Sequence, residues 1–250
     1  MAAFMPQEVH AALARAASSE FMKVTILTSR PVMEVWHLAG FDSHPIPLDI
    51  VGLCGAERMG ADGSYRLDSR PSVWAEAREG VRRVLHGLGI EESVPVEEKQ
   101  TAITIHYRGS DLTAEQLSRL ERDLSYMAKN LEWSWDSGKA VIELRPKSLN
   151  KGAALSEILG RVAVTTAVYA GDDRVDSAAF RALEEWKRQG FGRQSIGVLI
   201  EDDETGQAMG PVDVKLSGPS ELAGWIVELT DGVSDVRGGS PFHLRRLTGD

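Results

Sequence analysis

The chain has 250 residues, 42% of them apolar and 26% charged, with a net charge of −9. That is enough to bury one large hydrophobic centre, or a core with a smaller inserted domain. With no dense Lys/Arg stripe, a nucleic-acid or anionic-membrane surface is excluded, because both depend on clustered positive charge. No apolar run approaches the roughly 18 residues of a spanning helix, and Cys54 is the lone cysteine, so the expectation is a cytoplasmic protein without a disulfide framework.

Pro6 to Ser18 reads as a helix, with Val9, Leu13 and Ala16 along one face. The β-branched run Val24-Thr25-Ile26-Leu27 reads as a buried strand of a parallel sheet, ending at Thr28-Ser29-Arg30-Pro31. Pro31 to Leu38 is a second helix, with proline at its start where a missing N–H costs little, and Ile46 to Leu53 is a further apolar stretch. Strands alternating with helices indicate a three-layer α/β core.

From about Glu91 the rhythm changes. In Thr101 to Arg108, Ile103, Ile105 and Tyr107 alternate with Thr104, His106 and Arg108. Thr113 to Gln116 has the form of a capping box and opens a helix striped by Leu117, Leu120, Leu124 and Met127. Leu131 to Trp135, a Ser137-Gly138 turn and Lys139 to Arg145 read as a hairpin, with Trp133 and Trp135 expected against the helix. This β-α-β-β segment, residues 91–146, is read as an inserted α+β cap with one polar face. The core is then residues 1–90 and 147–235, and 236–250 is a tail.

After the cap, Lys151 to Leu159 is helical and Ala163 to Ala170 is an apolar strand. Ser177 to Arg188 is a helix with Ala178, Leu183 and Trp186 inward. Ser195 to Ile200 is a strand and Pro219 to Leu229 a closing helix. The strongest chemical signal is Gly171-Asp172-Asp173-Arg174-Val175-Asp176, at a strand end. Three carboxylates so close repel one another without a cation, strand ends of parallel sheets are where ligands bind, and hard oxygen ligands suit Mg²⁺. The competing reading is an acidic solvated loop in which Asp176 caps the next helix. Lys151, opening a helix, can neutralise a phosphate, or simply be solvated. Thr28 can donate to a phosphate, or simply cap the helix after it. His106, Arg108, Glu143 and Arg145 lie on polar strand faces that suit a sugar or, equally, water.

Taken together these strings resemble the trehalose-6-phosphate phosphatase family of the haloacid-dehalogenase-like superfamily. Val24 to Pro31 (VTILTSRP) resembles its second motif. Glu143 to Pro146 followed by Asn150 to Leu155 resembles the third, and Gly171 to Phe180 (GDDRVDSAAF) the fourth. Glu98 to Gln100, His106 to Arg108 and Asp213 to Leu229 are similar to the family's cap and closing segments. The resemblance implies a Rossmann-like core with a parallel sheet and an inserted C2-type cap. It implies a Mg²⁺-dependent hydrolase of trehalose biosynthesis, cleaving trehalose 6-phosphate to trehalose and phosphate, with a trehalose-phosphate synthase as a partner. Thr28 would bind the phosphoryl group and Lys151 would neutralise it. Asp172 would ligate Mg²⁺ with Asp173 and Asp176 supporting, and Lys99, His106, Arg108 and Glu143 would face the disaccharide.

The same resemblance implies an attacking aspartate, and a second two residues on for acid/base work, in a D-x-D-G-T strand end ahead of the first helix. No Asp-x-Asp occurs in the sequence. Because that strand belongs at the centre of the family's sheet, two strands would be left with unpaired backbone groups, each costing about 1–3 kcal/mol. The expectation is therefore a chain truncated at its start and impaired in hydrolysis. The alternative is a pseudophosphatase binding a sugar phosphate or a partner. Smaller departures from the family pattern are Ser29 for glycine, Cys54 for histidine and Asn150 for aspartate.

Overall fold

The computed structural model describes residues 4–68, 73–138, 140–201 and 210–235. In chain order the elements are α1 (Gln7–Ala17), β1 (Thr25–Leu27), α2 (Val32–Leu38), β2 (Asp49–Gly52), β3 (Glu57–Met59), β4 (Tyr65–Leu67), α3 (Trp74–Leu88), β5 (Val96–Glu98) and β6 (Ile103–His106). There follow α4 (Ala114–Asn130), β7 (Trp133–Gly138), β8 (Val141–Pro146), α5 (Lys151–Arg161), β9 (Thr166–Gly171), α6 (Ser177–Arg188), β10 (Gln194–Ile200), β11 (Val214–Leu216) and α7 (Pro219–Asp235). The chain divides into two compact units, Met1–Leu67 with Asn150–Asp250, and Asp68–Leu149. Among the described residues no helix is long and apolar enough to cross a membrane.

The first unit contains two sheets. One has the order β1-β2-β3-β4, with β1 and β2 parallel (Ile26 opposite Ile50) and the last two pairs antiparallel. The other is β11-β10-β9, parallel throughout, with Ile196 opposite Val168. β-branched and leucine-rich runs form these strands because helices cover them: Val32, Val35 and Ile50 share one cluster, and Leu155, Leu159, Phe180 and Leu183 share another. α1 and α7 meet through Val9, Ala12 and Ala223. On α6 the buried side chains are Ala179, Phe180, Leu183 and Trp186, so Ala178 stands half-buried beside that stripe rather than within it. α7 runs on to Asp235, past the Leu229 limit read from the sequence. The expected tail, 236–250, lies outside the described residues.

Among the described residues, β1 and β9 each pair with one strand only, and no ladder joins them. The direction of their free edges follows from the hydrogen bonds. Asp49 N–H donates to Val24 O and Thr28 N–H to Val51 O, so Val24, Ile26 and Thr28 face β2. Thr25 and Leu27 then turn their backbone groups to the other side. Likewise Gln194 N–H donates to Thr165 O, which aims Ala167 and Tyr169 at β10 and Thr166, Val168 and Ala170 away from it. Leu27 nevertheless packs against the cluster that includes Ala167 and Tyr169.

The second unit is an antiparallel sheet, β5-β6-β8-β7, carrying its apolar face against helices. The capping box is present: Gln116 N–H donates to Thr113 Oγ1 at 3.1 Å, and Thr113 N–H to Gln116 Oε1 at 3.0 Å. Leu120, Leu124 and Ala128 of α4 are fully buried against Ile103, Ile105, Ile142 and Leu144. α3 packs in the same cluster through Ala77, Val81 and Leu85. It therefore belongs with Asp68–Leu149, although the sequence reading set it in the core up to residue 90. Its amphipathic stripe announces burial but not against which neighbour. The hairpin turn also lies later than the sequence suggested: Ser137 and Gly138 continue β7, paired with Ile142 and Val141, and Ala140 takes the positive φ of 64°. Trp133 is buried and tilted against Trp74 at 5.4 Å, whereas Trp135 on the same strand face is 38% exposed.

Candidate functional site

The acidic loop after β9 is organised around one buried carboxylate. Asp176 has 1% exposure, and four donors converge on it. Lys151 Nζ and the Tyr169 hydroxyl each reach Oδ1 at 2.5 Å, while the N–H groups of Asp172 and Asp173 reach Oδ2 at 3.2 and 3.0 Å. Asp176 precedes α6 but makes no side-chain cap there. Its oxygens are directed back to the loop and to Lys151, so the helix-capping reading fails. A Cβ on Gly171 would lie 2.6 Å from Asp176 Cγ, and only glycine leaves room for the carboxylate. Both oxygens already hold two donors, which sets Asp176 behind the loop. The side chains of Asp172 and Asp173 are exposed.

Lys151 is the first residue of α5, and Asn150 caps that helix by accepting the Ala153 N–H at 2.9 Å. Asparagine therefore performs the capping that an aspartate would perform there. The lysine side chain is 12% exposed. A pair so far from water is tolerable only where further hydrogen bonds satisfy the carboxylate, and Tyr169 and the two backbone N–H groups supply them. Asp172 has its carboxyl raised above the usual aspartate value, by partial burial first and by the Asp176 charge second, with Lys151 opposing. Burial likewise drives the Tyr169 hydroxyl up, with Asp176 adding to the effect, so it stays protonated as a donor.

Thr28 follows β1. Its Oγ1 accepts the Arg30 N–H at 3.1 Å, which leaves the hydroxyl hydrogen for another acceptor. Cys54 N–H donates to Thr28 O at 2.9 Å. Thr28 is not the helix cap: Pro31 fills that position without a side-chain bond, and Glu57 on β3 accepts the Val32 N–H at 2.7 Å. Ser29 has no positive φ, so glycine is not required there; Leu53 and Cys54 do, at 50° and 54°.

In the second unit Glu143 is the hub. Its carboxylate accepts from Lys99 Nζ at 3.2 Å and from Thr104 Oγ1 at 3.5 Å, and it is paired with Arg145. His106 Nε2 meets Glu97 at 3.0 Å. Arg108 lies beyond the strand, in the turn after Tyr107, and is exposed. Of the residues read from the sequence, Lys151, Asp172, Asp173 and Asp176 are thus assembled in one place, and Lys99 and Glu143 in another. Tyr169 and Glu57 were missed. A tyrosine inside an apolar strand reads as core, and a glutamate in a short hairpin reads as solvated.

Among the described residues no three His, Cys, Asp or Glu side chains converge on a common point. Mg²⁺ does not need three, because it keeps several waters and is held by one or two carboxylates with substrate phosphate. Asp172 and Asp173, both on the exposed side of the loop, are carboxylates of the kind that suit such a cation.

The model of the Trehalose-phosphatase family matches residues 1–217. A probable trehalose-phosphate phosphatase of Sinorhizobium fredii is 31% identical over 141 residues, 56% of this chain and 52% of that protein. The chain spans about half or less of the curated relatives it matches, 52% of this one and 21% of a trehalose-phosphatase from Schizosaccharomyces pombe. The fold is shared with trehalose-6-phosphate phosphatase of Aspergillus fumigatus, at TM-score 0.66 and 22% identity over 90% of this chain and 84% of that one. It is also shared with a haloacid dehalogenase-like hydrolase of Bacteroides thetaiotaomicron, at TM-score 0.58 and 14% identity over 90% and 92%. The two-unit α/β architecture is thus haloacid-dehalogenase-like, and the chain belongs to the trehalose-phosphatase family.

Proposed function

We propose that the chain carries the phosphate-, metal- and sugar-binding parts of a trehalose-6-phosphate phosphatase, and that residues 1–250 alone hydrolyse this substrate poorly. The observation that carries the first half is the Lys151–Asp176 pair at the start of α5, with Asp172 and Asp173 exposed beside it. In this reading Lys151 neutralises the phosphoryl oxygens, helped by the positive end of α5, and Thr28 donates its free hydroxyl hydrogen to them. Asp172 and Asp173 hold Mg²⁺, which supplies charge neutralisation at the phosphate. Asp176 orients Lys151 and the loop. Lys99, His106, Arg108 and Glu143 recognise the disaccharide, because a fixed carboxylate between two cations suits sugar hydroxyls.

The second half rests on the missing carboxylate pair and on the sheet. No D-x-D exists in the sequence, and the edges of β1 and β9 lack ladder partners among the described residues. The backbone groups of Thr25, Leu27, Val168 and Ala170 on those edges have no strand partner among the described residues. The same observations favour a second reading, a non-catalytic module that binds a sugar phosphate or a trehalose-phosphate synthase. A cytoplasmic setting fits either, with Cys54 as the one cysteine.

Phosphate release from trehalose 6-phosphate by the purified chain, with Mg²⁺ and with EDTA, tests this, with calorimetric binding of the sugar phosphate in parallel. Binding without turnover is expected. Metal-dependent turnover lost in Asp172→Ala would overturn the second half and point to another nucleophile. Absence of both binding and turnover would overturn the first half.

A further inference from the structure

Asp176 Oδ1 is shared by two donors of unequal stiffness. Lys151 reaches it on a flexible four-carbon stem, with four rotatable torsions. Tyr169 reaches it from a buried ring held edge-on to Phe180, at a centroid distance of 5.3 Å and 88° between planes. Only two torsions position that hydroxyl, and both are fixed by packing. Oδ2 is pinned by the loop N–H groups of Asp172 and Asp173, so the remaining freedom of the carboxylate is rotation that swings Oδ1. The rigid donor decides where Oδ1 stays, and the flexible one follows it.

We propose that Tyr169 is a positioning residue: its hydroxyl holds Asp176 so that Lys151 stays placed to receive a phosphoryl oxyanion. Tyr169 touches no substrate in this account and acts through Asp176. The inference rests on the reading of Lys151 as the phosphate-neutralising group.

The test compares Tyr169→Phe, Lys151→Ala and Phe180→Leu in the full chain with Mg²⁺, titrating inorganic phosphate by calorimetry and following the Lys151 Nζ ¹⁵N shift by NMR. Tyr169→Phe keeps the ring and its packing, and is expected to weaken phosphate binding about tenfold, the scale of losing one charge-assisted hydrogen bond, and to move the Nζ signal. Phe180→Leu loosens the packing of the ring but keeps the hydroxyl, and is expected to lower Tm and to weaken phosphate binding less than Tyr169→Phe does. Parental affinity in Tyr169→Phe, with Lys151→Ala impaired, overturns the role of Tyr169 alone. Equal losses in Phe180→Leu and Tyr169→Phe also overturn it, because packing would then suffice. No phosphate binding by the parent chain, or full affinity in Lys151→Ala, overturns the reading of Lys151 and this inference with it.

Discussion

Glu57 closes the start of α2: its Oε2 accepts the Val32 N–H at 2.7 Å from a strand 25 residues further along the chain. Its other oxygen accepts the Tyr65 hydroxyl at 2.8 Å, and the residue is 5% exposed. The carboxylate thereby replaces the side-chain cap that Pro31 cannot give, and it ties the hairpin β3-β4 to the loop that follows Thr28. Glu57→Ala leaves a buried N–H and a tyrosine hydroxyl without their acceptor. A loss of about 1–3 kcal/mol is expected from the buried donor, with Tyr65→Phe costing about 1 kcal/mol. Urea melts of the two variants measure both, and a larger loss in Tyr65→Phe would contradict this account.

Gly152 lets α5 and α6 approach. A Cβ there would stand 2.5 Å from the Ala178 carbonyl oxygen, which is backbone and cannot rotate away. Gly152→Ala is expected to destabilise by about 1–3 kcal/mol, as overpacking does, and to weaken phosphate binding, because Lys151 is the adjacent residue. Gly160→Ala, where nothing lies within 4 Å, is the matched control and should be neutral or stabilising.

Asp172 supplies a pH prediction. Its folded carboxyl titrates above the unfolded value, owing to partial burial and to Asp176. A carboxyl shifted in that direction gives stability that is full below its unfolded pKa and lost as pH rises through the folded one. Asp172→Asn should therefore gain on the parent as pH climbs from about 4 towards 7, provided no divalent cation is present. Mg²⁺ should close the gap at neutral pH by favouring the ionised parent. Thermal melts with and without Mg²⁺ decide it, and parallel pH profiles for the two proteins would contradict it.

The free sheet edges are readable by amide exchange. Thr25, Leu27, Val168 and Ala170 should exchange at least about tenfold faster than Ile26, Tyr169 and Val198, whose N–H groups lie within ladders. Equal protection would mean that the edges are already paired in solution.

For sugar recognition, Glu143→Ala should release Lys99, Thr104 and Arg145 together. Trehalose 6-phosphate binding should fall about tenfold, equivalent to roughly 1.4 kcal/mol, while inorganic phosphate binding holds. Equal losses for both ligands would assign Glu143 a general structural role.

The strands around Ile26, Val168 and Val198 were legible because β-branched runs bounded by turn residues leave few alternatives. Lys151 and the Asp172 loop were legible in their places, a helix start and a strand end. A solvated lysine and an acidic capping loop stayed open as alternatives, because charge at such places also has structural uses. What stayed hidden is tertiary. Nothing in the spacing of Tyr169 and Asp176 tells that a ring inside an apolar strand turns its hydroxyl onto a carboxylate seven residues on. Trp135 shares its alternation with Trp133, yet only Trp133 lies beneath the helices. Alternation assigns a face; the length of the covering helix decides how much of that face stays dry.

The discontinuity of the first unit bears on how the protein is made. Its two pieces, Met1–Leu67 and Asn150–Asp250, are separated by the whole of Asp68–Leu149. A ribosome finishes the middle unit before β9 exists. Until then α1 lacks its contact with α7 and Leu27 lacks the cluster it packs on, although α1, α2, β1 and β2 already share the cluster around Ile50. Closing the unit brings together segments distant in sequence, which slows folding. Until α5 to α7 arrive, the segment from α1 to β4 should therefore be only partly protected from proteases in a nascent chain, and their arrival should complete that protection.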